Sequence, residues 1–95
     1  MLILDRIRSA VREQNYRIST HANEEMSEDY MTLEDVEKIL LSGQIRKRFS
    51  RDPRGTRYEV AGESMDGRRA NVVCRFLPSK VMLIITAFAE EEDRE

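Results

Sequence analysis

Few side chains in this 95-residue chain can move a proton near neutral pH. Its one histidine is His21, and imidazole suits an acid or a base role because its ordinary pKa lies near ~6.5. Metal-free cleavage of a phosphodiester by a neighbouring hydroxyl needs a base, an acid and cations on the phosphate. Arg57, Glu59 and Arg75 fall in segments that read as neighbouring strands, where they would clamp a phosphate or relay a proton. Thr86 breaks the apolar run Val81–Phe88 and offers a hydroxyl to a phosphate or to His21. Each group has a plainer reading. His21 would cap its helix or pack beside it, and the Arg/Glu set would form a cross-strand ion pair worth under ~1 kcal/mol. Thr86 would simply be a good strand former bonded to backbone.

Charge supports a polyanion as partner once it is divided along the chain. The formal total is −2, from 16 Lys+Arg and 18 Asp+Glu. Residues 20–42 hold Glu24, Glu25, Glu28, Asp29, Glu34, Asp35 and Glu37 against Lys38 alone. Residues 43–58 reverse this with Arg46, Lys47, Arg48, Arg51, Arg54 and Arg57 against Asp52. Such a block is an electrostatic footprint for nucleic acid, with Tyr58 beside it as a platform for a base. Its bland counterpart is a set of arginines that keep strand edges soluble and pair with the acidic helices; Tyr58 would then belong to the core.

Other counts narrow the classes. One cysteine, Cys74, makes no intrachain disulfide, and it reads as a small buried hydrophobe. One cysteine and one histidine do not complete a Cys/His zinc site, so no metal and no cofactor is expected. Asp5, Arg6 and Arg8 interrupt the opening segment, and no apolar run approaches the ~20 residues of a membrane span. A cytoplasmic protein without a membrane partner is the expectation.

These groups must be held by a single domain over residues 1–89, followed by an acidic tail at 90–95. Ile3, Ile7, Ala10 and Val11 recur at helical spacing over 2–14, with a stop at Asn15. Tyr16–Ser19 reads as extended or loop. Thr20 is placed to cap a helix from His21 that carries Glu24 and Glu25 in its first turn. Thr32 and Asp35 have the spacing of a capping box for a helix that ends at Gly43. From Gln44 the period becomes two: strands over Gln44–Ser50, Thr56–Ser64, Arg69–Leu77 and Val81–Phe88, with turns at Asp52-Pro53-Arg54-Gly55 and Asp66-Gly67. The expected architecture is α+β, with N-terminal helices packed on a four-stranded antiparallel sheet in two layers. The last strand is apolar on both faces, and a homodimer contact would shield the second.

Several elements in this order carry a resemblance. They are Tyr16-x-x-x-Thr20-His21-Ala22-x-x-x-Met26, Met31-Thr32-x-x-Asp35-Val36, Gly43-x-Ile45, Tyr58-x-Val60-x-Gly62, Asp66-Gly67, Asn71-Val72-Val73 and Ile84-Ile85-Thr86-Ala87-Phe88. Over residues 16–89 the chain resembles the small prokaryotic family called domain of unknown function 4258. That family is similar in outline to the RelE and barnase–EndoU–colicin ribonuclease toxins, which implies a sheet whose open face cleaves RNA without metal. The chain departs from the family pattern at Glu25, where relatives carry Arg, and at Asp29-Tyr30-Met31-Thr32, which replaces a basic start. With those arginines absent, RNA contact would pass to the 46–57 block.

The resemblance makes the leading expectation an RNA-directed RelE-like domain: a metal-independent endoribonuclease toxin, or a degenerate relative, with an antitoxin-like protein as partner. The expected catalytic set is His21, Glu59, Arg75 and Thr86. The expected RNA-binding set is Arg46, Lys47, Arg48, Arg57 and Tyr58. The alternative is a non-enzymatic protein-interaction module, for which the acidic 20–42 segment speaks.

Overall fold

The computed structural model describes residues 2–91, so part of the expected acidic tail lies outside the described residues. Ile7, Ala10 and Val11 bury one side of helix α1, Ile3–Arg12. The chain leaves α1 through Gln14 in the left-handed region (φ 56°). Gln14 N–H bonds the Val11 carbonyl at 3.1 Å and Asn15 N–H bonds Ala10 at 2.8 Å, which satisfies two terminal carbonyls. This reversal stops the helix short of the expected Gln14 and points Tyr16–Ile18 back along the domain.

Those three residues take the extended alternative, as a strand, β1. They pair in parallel with the last strand, Tyr16 with Met82 and Ile18 with Ile84. The expectation of four antiparallel strands is thereby corrected: the sheet has five, and one edge is parallel. Three residues are too few to show a period of two, and a parallel partner 66 positions away leaves no turn signal nearby.

Helix α2, Thr20–Glu28, is capped by Ser19 and not by Thr20; the Ser19 hydroxyl accepts from Ala22 N–H at 3.0 Å. The helix therefore starts one residue early, and Glu24 and Glu25 stand beyond its first turn. It ends as α1 does, with Tyr30 at φ 54° and Met31 N–H on the Met26 carbonyl at 2.8 Å. Helix α3, Leu33–Ser42, has the expected capping box: Asp35 accepts from Thr32 N–H at 2.7 Å, and Thr32 Oγ1 accepts from Asp35 N–H at 3.2 Å. The other Asp35 oxygen takes Met65 N–H at 2.7 Å, tying α3 to a distant hairpin.

Gly43 closes α3 in extended geometry (φ −80°, ψ −175°), so chirality is not what calls for glycine there. Space is. A Cβ would stand 2.4 Å from the Ala61 carbonyl oxygen and 2.5 Å from that of Ile39. Gly62 lies against Gly43 in turn, so a pair of glycines lets the helix end meet the sheet.

Strands β2 (Gln44–Phe49), β3 (Arg57–Glu63), β4 (Arg69–Phe76) and β5 (Met82–Ala89) follow as an antiparallel meander, giving the order β1-β5-β4-β3-β2. Gly55 N–H on the Asp52 carbonyl closes the first expected turn, and Gly67 at φ 83° sits in the second. Ile39, Leu40, Val36, Val60, Val72, Cys74, Met82 and Ile84 are fully buried between helices and sheet. Burial pushes the Cys74 thiol up to about 12, in keeping with the inert core role expected of it.

A candidate site on the uncovered sheet face

Because side chains alternate, the helix layer takes Tyr58, Val60 and Gly62 of β3 and Ala70, Val72 and Cys74 of β4. The opposite face of the sheet therefore carries Arg57, Glu59, Asn71, Val73 and Arg75. Two bulges change what the flanking strands add. On β2 the register shifts between Ile45 and Lys47, so Arg46 is the extra residue and Lys47 lies opposite Glu59. On β5 the register shifts around Ile85, which leaves Thr86 opposite Val73 and Phe88 opposite Asn71. Regular alternation would have set Arg46 apart from Lys47 and Phe49. The bulge instead puts Arg46, Lys47, Glu59, Asn71 and Phe88 around one shallow cleft of about 640 Å³.

Ion pairing divides the basic block. Asp52 holds Arg54 at 3.2 Å and Arg57 at 3.3 Å, and the Arg54 amide and guanidinium, with Arg57 beyond, keep its carboxyl below the usual range. Glu90 accepts from Asn71 Nδ2 at 2.9 Å and from Arg46 at 3.1 Å; the Asn71 bond, with Arg46, lowers its pKa. Arg57 also lies over the Phe49 ring at 4.9 Å. Lys47, Glu59 and Arg75 have no ion pair among the described residues. The Nε of Arg75 is buried without an acceptor. A cross-strand pair within Arg57, Glu59 and Arg75, the plain reading of those residues, does not form; Arg57 turns to Asp52 instead.

The two aromatic and basic groups Arg48 and Tyr58 are on the other face. They pair across β2 and β3, with the Arg48 guanidinium 5.5 Å from the Tyr58 ring centre, and Tyr58 packs against the core. The structure does not bring them to the cleft.

His21 stands on α2 with 65% of its side chain exposed, and its Nε2 lies 3.2 Å from Glu25. This helix runs along the free margin of β5, and its acidic side chains finish that edge. Glu25 accepts Ala87 N–H at 3.2 Å, Asp29 accepts Ala89 N–H at 2.8 Å, and Ser19 Oγ donates to the Ile85 carbonyl at 2.9 Å. Glu25 thus satisfies a strand edge. Strands β5 and β4 separate His21 from Glu59 on β3, a span of roughly 10 Å or more at ~4.8 Å per strand. Of the four expected catalytic residues, Glu59, Arg75 and Thr86 share a face, with Val73 between Glu59 and Thr86. His21 stands across two strands from Glu59, while its partner Glu25 also takes the amide of Ala87, the residue after Thr86.

Sequence reasoning missed Asn71, Phe88 and Glu90 as members of this surface. Asn71 is only 2% exposed although it faces away from the helices, and its Oδ1 has no hydrogen-bond donor. The signal was a polar residue inside the apolar run of β4, Ala70-Asn71-Val72-Val73-Cys74. No helix among the described residues is long and apolar enough to cross a membrane. Neither a curated protein nor a solved structure matches the chain. A family model does, over residues 18–89, which takes in everything from the end of β1 to the end of β5. By that match the chain belongs to the family described as domain of unknown function (DUF4258).

Proposed function

We propose that the protein is an RNA-directed domain of RelE-like type that binds single-stranded RNA on its uncovered sheet face and cleaves it without metal. One observation carries this reading. Glu59, a carboxylate with no ion pair among the described residues, lies on β3 opposite Lys47 of β2, two residues from Arg57 on its own strand, with Arg75 of β4 on the same face. A carboxylate with no ion pair, on a face that also carries Lys47, Arg57 and Arg75, suits a base working beside a phosphate, because the cations would hold the anion and stabilise charge as it develops. In this reading Glu59 takes the 2′-hydroxyl proton and the 2′-oxygen attacks phosphorus. The bond from phosphorus to O5′ breaks, Lys47 protonates O5′, and a 2′,3′-cyclic phosphate remains. Arg57 and Arg75 hold the non-bridging oxygens, and Thr86 bonds the neighbouring phosphate. His21 is assigned no proton.

Binding tests this apart from chemistry. Affinity for a single-stranded RNA, measured across salt concentrations, should fall steeply, and Arg75→Gln should flatten the slope by about 0.7, the share of one neutralised phosphate. Salt-independent binding, or an unchanged slope in Arg75→Gln, contradicts the assignment.

A second reading, a non-enzymatic interaction module, is favoured by a different surface. Tyr30 and Met65, on turns, and Leu33, at the start of α3, are exposed on segments that Arg68 and Asp35 tie together, Arg68 through the Asp29 and Tyr30 carbonyls and Asp35 through Met65 N–H. Recovery of a stoichiometric protein partner sensitive to Tyr30→Ser, with no RNA bound at low salt, would establish that reading instead.

A further inference from the structure

We infer that the hairpin made by the end of β2 and the start of β3 is a ribbon that binds double-stranded DNA, entering the major groove tip first with cations toward both walls. This goes beyond the RNA-directed reading, because it employs arginines that the uncovered sheet face leaves unused. Ile45 is the last residue of β2 to pack against the core. From Arg46 to Arg51 every residue is exposed, and Pro53–Gly55 are exposed across the turn. The helix layer does not reach this arm, so solvent meets both of its faces.

The charge is on both faces as well. Lys47, opposite Glu59, and Arg57, opposite Phe49, stand on the uncovered face of the sheet. Arg48 stands on the other face, with its guanidinium 5.5 Å from the Tyr58 ring centre. Arg51 and Arg54 belong to the turn. Arg48 and Arg51 have no ion pair among the described residues. Asp52 is the one acid from Arg46 to Tyr58, and its side chain is only 7% exposed. It braces the tip, accepting from Arg54 N–H at 2.9 Å and lying 3.3 Å from Arg57 Nε.

A single strand laid on one face would meet Lys47 and Arg57 and leave Arg48 idle. A duplex groove has a phosphate backbone along each wall, so a ribbon between the walls employs both faces at once. Width then selects the duplex. A sheet with side chains on both faces is about 10 Å thick. The major groove of B-form DNA is about 12 Å wide and admits a two-stranded ribbon, whereas that of A-form RNA is deep and narrow. In this pose Arg51 approaches the base edges, where guanine offers two acceptors to a guanidinium.

The probes are a short mixed-sequence DNA duplex, the RNA duplex of matching sequence and one DNA strand alone, each titrated into the full chain across a salt series. The DNA duplex should bind about ten-fold tighter than either competitor, with a log–log salt slope of about −3, the share of three phosphates. Arg48→Gln and Arg51→Gln change exposed side chains, so each should keep the melting temperature and remove about 0.9 from the slope. Arg17→Gln, on β1 at the opposite edge of the sheet, should leave the slope unchanged. Equal or tighter binding of the RNA duplex or the single strand overturns the ribbon. So does a slope near zero, an unchanged slope in Arg48→Gln or Arg51→Gln, or an equal loss in Arg17→Gln. The RNA-directed reading is judged apart from this, by Arg75→Gln on single-stranded RNA.

Discussion

Two residues carry opposite lessons about what a side chain does in its place. Tyr30 is 87% exposed and holds the left-handed position that closes α2, a conformation that an L-residue with a Cβ adopts at a cost. Tyr30→Gly should raise stability by about 0.5–1 kcal/mol, seen as a higher denaturation midpoint with an unchanged slope. A lower midpoint would show that the tyrosine ring contributes more than its backbone costs. Asp35 is buried, and burial alone would raise its pKa. The amides of Thr32 and Met65 outweigh that and hold the carboxyl below its usual value. Its stabilisation is therefore complete above the unfolded pKa of ~3.9 and is lost as pH falls through the lower folded value. Melting temperature followed from pH 6 downwards should drop more below about pH 4 in the wild type than in Asp35→Asn. Parallel curves would exclude Asp35 as a source of acid sensitivity. The capping half of Asp35 was legible from Thr32-x-x-Asp35. Its bond to Met65, thirty positions on, was not, because nothing local to either residue announces it.

At the scale of elements, α2 does more than cover the core. Its row of Glu25 and Asp29 satisfies amides that β1, only three residues long, leaves open on β5. Glu25→Ala and Asp29→Ala should each cost about 1–2 kcal/mol and speed hydrogen exchange at Ala87 and Ala89 respectively. Unchanged exchange at those amides would mean that water serves them equally well. Gly43 gives the sharper expectation: Gly43→Ala should destabilise by about 2–3 kcal/mol or more, since a Cβ meets two carbonyl oxygens. Both ends of α3, the hairpin turns and the four longer strands were readable because caps, glycines and alternation are local signals, whereas α1 ends two residues early and α2 takes Ser19 as its cap. The parallel edge strand was not readable, since a three-residue partner from the far end of the chain leaves no such mark. The β2 bulge was hidden too: Arg46, Lys47 and Arg48 fit alternation in either register, and only pairing with β3 shows which residue is extra. That one insertion moves Arg46 and Lys47 together and so makes the cleft.

For the whole molecule, the small net charge is a cancellation that the fold keeps in space. The acidic stretch of 20–42 supplies capping and edge-sealing carboxylates in Glu25, Asp29 and Asp35, while much of the basic stretch faces outward on β2 and β3. The uncovered face is restrained by its own acids, because Glu90 occupies Arg46 and Asp52 occupies Arg57. Glu90→Gln should accordingly tighten RNA binding several-fold at low salt, and the gain should vanish at high salt. No gain at low salt would show that Glu90 does not compete with phosphate. The most direct test of the central claim is cleavage of single-stranded RNA in EDTA, comparing wild type, Glu59→Gln and His21→Ala. We predict cleavage to a 2′,3′-cyclic phosphate by the wild type, a loss of about 10²-fold or more in Glu59→Gln, and His21→Ala within a few-fold of wild type. No cleavage by the wild type, or equal cleavage by Glu59→Gln, would contradict the account.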